Sequence, residues 1–239
     1  MTAARAMHSV PYQRVVSIDL AKVALNGDLG LPPHPSGIVL FAHGSGSSRF
    51  SPRNRFVAER LQASGMGTLL MDLLTESEER IDQRTSQLRF NIPLLAKRLA
   101  GATAWALRQP DLRKLRIGYF GASTGAATAL AAAAQLPGKI AAVVSRGGRP
   151  DLAGNDLASV VAPTLLIVGG EDGPVIDLNE EALAKLGCSE KKLSVIPGAT
   201  HLFEEPGALE EVAKVTAEWF SRHFDSNSRG NNKRIVLVR

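Results

Sequence analysis

Six short apolar runs, separated by stretches of helical spacing, constrain the fold more than any other feature of this chain. They are Gly37–Ala42 (GIVLFA), Gly67–Met71 (GTLLM), Leu115–Phe120 (LRIGYF), Ile140–Val144 (IAAVV), Thr164–Val168 (TLLIV) and Lys192–Ile196 (KLSVI). Several lack polar alternation, as expected where both faces of a sheet are covered by crossover helices. Helical spacing falls between them, over Arg53–Ala63, Ile92–Leu107, Thr124–Gln135, Asn179–Leu186 and Pro206–Phe224. The alternation predicts an α/β fold with a mostly parallel sheet and helices on both faces. Two further strands precede it: Val15–Val23, and Asp28–Leu31 returning after an Asn26-Gly27 turn. That makes about eight strands. Asp72–Gln87 is charged and weakly periodic, and reads as a short polar cover. At 239 residues the chain fits one large domain. The expected division is a flexible N-terminus over 1–13, the domain over 14–225, and a flexible basic tail over 226–239. Ile235–Val238 could add an edge strand.

Composition excludes several classes. Hydrophobic residues are 44% and charged residues 21%, which rules out wholesale disorder. The longest small-apolar run, Ala126–Ala134, falls far short of the ~20 residues a membrane span needs. The first residues, MTAARAMHSVPYQ, have no apolar core of the signal-peptide kind. A single cysteine, Cys188, precludes an intrachain disulfide and a CxxC zinc site. A cytoplasmic setting, with no metal and no cofactor, is expected. The net charge is +5, yet Arg229, Lys233, Arg234 and Arg239 sit in the last fourteen residues, which hold no acids. The rest is near neutral, so no nucleic-acid surface is indicated.

The chemistry starts at Gly121-Ala122-Ser123-Thr124-Gly125. The motif directly follows one predicted strand and opens a helix. Such a turn lifts the serine above the sheet, and the flanking glycines avoid collisions between strand and helix. Ser123 is therefore the candidate nucleophile. A serine hydroxyl needs a base and a group to orient that base. Of the five histidines, His8 and His34 lie before the third strand, and His223 ends a helix and reads as solvated. His43 reads as shaping its loop. His201 follows a strand in the loop PGATHLFEEPG, at the carboxyl edge of the sheet shared with Ser123. It is the candidate base. Asp172, in Gly169-Gly170-Glu171-Asp172-Gly173-Pro174, is the favoured acid, with Glu171 and Asp177 as rivals. Oxyanion donors are expected from the N–H of Thr124 and from the His43-Gly44-Ser45-Gly46 loop, Ser45 first and Gly44 beside it. Arg146 and Arg149 follow a strand end. Arg146 either binds a substrate carboxylate or pairs with Asp151 or an acid of the cover. Arg49, Arg53 and Arg55 pose the same choice, with a surface role favoured.

The motifs HGSG, GASTG, GGEDGPV and IPGATHLFEEPG occur in that order. Together they resemble the α/β-hydrolase superfamily and, within it, the dienelactone hydrolase-like family. SRGGRPDLAG and IPGATHLFEEPG resemble more narrowly the hydrolase domain fused to phosphoribosyltransferases in some bacteria. The resemblance spans roughly residues 15–225. It implies an α/β-hydrolase fold with a short cap, in a bacterial hydrolase of esters or lactones using Ser123, Asp172 and His201. The best-known dienelactone hydrolases carry a cysteine nucleophile where this chain has Ser123. That difference points to a carboxylesterase acting on small esters through an acyl-enzyme. A lactonase, thioesterase or peptidase would use the same machinery. A reading of another class is a vestigial site in a binding protein that docks an acidic partner through its basic tail. The expected partner is a small-molecule ester, with no nucleic acid and no membrane, and a homodimer left open.

Overall fold

The computed structural model describes residues 12–225. The tail over 226–239, including 235–238, and most of the segment 1–13 lie outside the described residues. Eight strands are present: β1 (Tyr12–Asp19), β2 (Ala24–Leu31), β3 (Gly37–Ala42), β4 (Gly67–Met71), β5 (Arg116–Ala122), β6 (Ile140–Arg146), β7 (Thr164–Gly169) and β8 (Lys191–Ile196). They form one sheet in the order β1-β2-β4-β3-β5-β6-β7-β8. The β1–β2 and β2–β4 pairs are antiparallel and every later pair is parallel.

Side chains alternate across the sheet and divide the core in two. On one face Ile38, Leu40 and Tyr119 pack with Leu95 and Leu99 of α3 (Ile92–Ala106) and Leu130 of α4 (Thr124–Gln135). On the other, Val39, Phe41 and Phe120 meet Val57 and Leu61 of α1 (Pro52–Ala63) and Phe220 and Phe224 of α6 (Ala208–Phe224). The remaining helices are α2 (Glu76–Thr85) and α5 (Gly173–Lys185), with a 3₁₀ stretch at Pro150–Ser159. The alanines of α4 are buried from Ala126 to Ala133, so this helix lies inside the layer that covers the sheet. Among the described residues no helix is long and apolar enough to cross a membrane.

Three local expectations are corrected. The hairpin turns at Leu20–Val23, closed by the Leu20 N–H to the Val23 carbonyl at 2.9 Å. Asn26 and Gly27 lie within β2 instead, facing Ser17 and Val16. Gly27 serves close packing there: a Cβ would stand 3.0 Å from both Ile18 Cδ1 and Leu69 Cδ1. The second correction is α2, a regular helix in the segment read as a charged, weakly periodic cover. Polar bonds hold it in place of an apolar face. Thr75 and Glu78 form a capping box, and the Arg98 guanidinium donates twice to Glu78 at 2.6 Å. Asp82, 1% exposed, accepts from the Leu88 N–H at 2.6 Å, the Arg89 N–H at 3.1 Å and Arg89 Nε at 2.6 Å. The third is α5, which begins at Gly173 and places Asp172 at its N-cap.

Candidate active site

Ser123 occupies the one-residue junction between β5 and α4. Its backbone lies at φ 51°, ψ −122°, a region that non-glycine residues visit at a cost of roughly 1–3 kcal/mol. The surroundings hold it there. The Ser123 N–H donates to the Arg146 carbonyl at 3.1 Å, and the Ser123 carbonyl accepts from the N–H groups of Ala126 (3.0 Å) and Arg149 (3.1 Å). The flanking glycines are required by contact. A Cβ on Gly121 would lie 2.4 Å from the Gly125 carbonyl oxygen, and one on Gly125 would lie 2.2 Å from that of Ala42. The side chain makes no cap bond to α4, which leaves the hydroxyl free for other work.

The candidate acid and the candidate base come from adjacent strands. Asp172 follows β7 and His201 follows β8, and His201 Nδ1 lies 2.7 Å from Asp172 Oδ2. The two turns are bonded directly, Gly170 N–H to the Ile196 carbonyl (2.8 Å) and Glu171 N–H to the Ala199 carbonyl (2.9 Å). Gly169 permits this approach, since a Cβ there would stand 2.3 Å from the Ala199 oxygen. The carboxylate is largely enclosed, with 14% of its side chain exposed, whereas the imidazole keeps 38%. The rivals Glu171 and Asp177 are exposed. Ser123 and His201 line one cavity of about 130 Å³, with Gly44, Ser45, Arg53, Asn54 and Arg146 among its walls. Among the described residues no hydrogen bond joins the Ser123 hydroxyl to the imidazole. Such bonds commonly tighten only with substrate in place.

The oxyanion loop departs from expectation. The Ser45 N–H already has an acceptor, donating to the Thr124 hydroxyl at 2.7 Å. Thr124 is the first residue of α4, where N–H groups have no intrahelical acceptor, and its β-branched side chain reaches across to the loop. In this structure the Ser45 donor is closed by a side chain, while the Thr124 N–H sits at the helix start. His43 shapes the loop as read. Its Nδ1 donates to the Gly44 carbonyl (2.9 Å) and its Nε2 accepts from the Leu73 N–H (3.2 Å). Desolvation holds its pKa below the ordinary histidine value against the pull of the Gly44 carbonyl, Asp72 and Glu79.

The arginines sort in a way the sequence did not reveal. Asp151 takes Arg149 in a two-pronged pair at 2.9 and 2.8 Å, which leaves Arg146 without it. Arg49 pairs with Asp72 and Asp28, and Arg55 with Asp28 at 3.1 Å. Arg53, expected on the surface with its neighbours, instead lines the Ser123 cavity. His223 is also corrected. It is buried, and its Nδ1 donates to the Trp219 carbonyl at 2.7 Å while Nε2 faces Glu190 at 3.1 Å.

The family profile described as "Dienelactone hydrolase family" matches residues 25–226, nearly the whole of this sheet and its helices. The chain belongs to the dienelactone hydrolase family. A crystal structure of dienelactone hydrolase from Anabaena variabilis is 59% identical, with a TM-score of 0.88 over 90% of this chain and 99% of that one. Est1E from Butyrivibrio proteoclasticus, 18% identical, shares the fold at a TM-score of 0.72, covering 87% of this chain and 98% of its own. A Mycobacterium tuberculosis protein named as a phosphoribosyl transferase is 56% identical over 209 residues, which is 87% of this chain. The match covers 46% of that protein, so this dienelactone hydrolase family chain spans about half the length of the curated relative.

Proposed function

We propose that the chain is a serine hydrolase that cleaves small carboxylic esters through an acyl-enzyme. The reading rests above all on one convergence. A serine held at a positive-φ elbow opens on the same cavity as an imidazole whose other nitrogen is bonded to a carboxylate. In the proposed reaction Ser123 attacks the ester carbonyl while His201 Nε2 takes the hydroxyl proton. Asp172 fixes the imidazole tautomer and balances the imidazolium charge. The Thr124 N–H receives the developing oxyanion. The Ser45 N–H joins it once the substrate oxygen displaces the Thr124 hydroxyl. His201 then protonates the departing alkoxide, and water, deprotonated by His201, releases the acid. The small cavity supports short acyl groups.

A lactone hydrolase is the second reading, favoured by the name of the family and of the Anabaena relative. Hydrolysis of p-nitrophenyl acetate and butyrate, set beside a small lactone, separates the two. Ser123→Ala is expected to lower ester turnover by several orders of magnitude and to abolish labelling by a fluorophosphonate probe. Turnover unchanged in that variant would overturn the mechanism.

A further inference from the structure

Arg146 is a buried cation that its protein surroundings leave unneutralised. It is 7% exposed, and its Nε and Nη1 have no hydrogen-bond partner. Among the described residues no carboxylate pairs with it, and Asp151, one of its expected partners, is committed to Arg149. The Phe203 ring, 5.9 Å from the guanidinium carbon, offers only a weak attraction at that separation. Burial, reinforced by the positive charge of Arg53, pushes its pKa down to about 10, so the side chain stays charged near neutral pH. Arg53 stands with it on the wall of the Ser123 cavity. Its Nη1 is held by Glu204 at 2.9 Å, while its Nε is buried without a partner. Two guanidinium groups, that of Arg53 held by Glu204 and that of Arg146 with no carboxylate partner among the described residues, thus border one small chamber. An unpaired buried charge is costly, and a ligand that supplies the counter-charge removes that cost.

We propose that Arg146 and Arg53 form a subsite for a phosphate group carried by the ester substrate and seated beside Ser123. Charge count favours phosphate over carboxylate. A phosphate monoester carries close to two negative charges near neutral pH against the one on a carboxylate, so it attracts the uncompensated Arg146 more strongly, Arg53 being already held by Glu204. The guanidinium fork suits the geometry, and the first turn of α1, which contributes Arg53 and Asn54, adds its positive dipole end. The substrate class that follows is a small phosphorylated ester. A chamber of about 130 Å³ holds the phosphate and the ester carbonyl but no long acyl chain.

The inference deepens the serine hydrolase reading, yet its test does not depend on turnover. Methyl phosphate is titrated calorimetrically into the full chain carrying Ser123→Ala, with acetate as the singly charged comparison. Saturable binding of methyl phosphate is expected. It should weaken by about 10–100-fold when Arg146→Gln is added, the loss typical of charged hydrogen bonds. Acetate should bind at least roughly tenfold more weakly than methyl phosphate. Should Arg146→Gln not fold, Arg53→Gln, on a partly exposed side chain, carries the comparison and is expected to weaken binding in the same direction. Absence of saturable binding, or binding indifferent to both substitutions, overturns the subsite. Acetate binding as tightly as methyl phosphate overturns the assignment to phosphate. Methyl phosphate binding in a chain whose wild type hydrolyses no ester removes the esterase reading alone. Ester hydrolysis without methyl phosphate binding removes the subsite alone.

Discussion

Replacing Gly125 with alanine tests the elbow through geometry alone. The added methyl group would stand 2.2 Å from the Ala42 carbonyl oxygen and 2.6 Å from that of His43. Ordinary carbon–oxygen approaches are about 3.3–3.6 Å, so the backbones must part by about 1 Å. Neither neighbour is a flexible side chain. Ala42 ends β3 and is paired in register with Gly121 of β5, so the first turn of α4 has to give way and carries Ser123 and Thr124 with it. Overpacking costs about 1–3 kcal/mol, and the better helix propensity of alanine returns up to about 1 kcal/mol. The net loss is about 1–2 kcal/mol, or a Tm lower by about 2–8 °C for a chain of this length. A displacement of about 1 Å at the nucleophile costs about 10²-fold in rate. Calorimetry reads the first effect and the rate of fluorophosphonate labelling at Ser123 reads the second. Gly173→Ala is the control: nothing lies within 4 Å of its added Cβ, and its Tm should hold or rise slightly. A Gly125→Ala protein with wild-type Tm and labelling rate would show that the elbow is not sterically locked.

Two further outcomes are expected. Asp172→Asn should lower kcat for ester hydrolysis by about 10³-fold. Loss of a carboxylate about 4 Å from the imidazolium charge is worth about 4 kcal/mol at a near-surface dielectric, reduced by the 38% exposure of His201 and increased by the wrong tautomer an amide imposes. A decrease below tenfold would remove Asp172 from the mechanism. Acid should loosen the cover. Desolvation raises the Asp82 pKa, but hydrogen bonds from the Arg89 side chain and from the Arg89 and Leu88 N–H groups outweigh it, so the net shift is downward. The stability Asp82 confers is therefore complete above the unfolded pKa near 4 and is lost as pH falls through the lower folded value. Asp82→Asn should cost about 3 kcal/mol at neutral pH, the low end for a broken buried pair, because Arg89 keeps 21% of its side chain exposed. The variant should also flatten the acid limb in denaturant titrations. Equal stability of variant and wild type at pH 7 would refute this account.

The sheet was legible where burial decides the pattern. β3, β4 and α4 fall on their expected residues because strands and helices covered on all sides leave uninterrupted apolar or small-residue runs. Legibility failed where polar groups decide it. The fold of α2 depends on Arg89 and Arg98, which lie beyond its own span in sequence, so a window over Asp72–Gln87 omits the partners that fix it. The Asn26-Gly27 pair misled for a related reason. It has the composition of a tight turn, yet it lies inside the strand, where the glycine packs closely against the side chains of Ile18 and Leu69.

The same division runs through the site. Ser123 and the acid and histidine loops were readable because each is fixed by a local device: a glycine-flanked elbow, a glycine-bounded turn, a strand end at the carboxyl edge. The arginines were not, because an ion pair is settled by which acid arrives first in space. Arg146 and Arg149 lie five and two residues before Asp151. However, Arg146 ends β6 and turns into the cavity, while Arg149 opens the 3₁₀ stretch that contains Asp151. Arg53 has the same history within its cluster. Asp28 and Asp72 draw off Arg49 and Arg55, and the first turn of α1 places Arg53, held by Glu204, on the wall of the Ser123 cavity. The proposed phosphate subsite therefore turns on Arg146, the cation of this group that the ion pairs leave without a carboxylate, and it becomes visible only when each nearby acid has been assigned its partner.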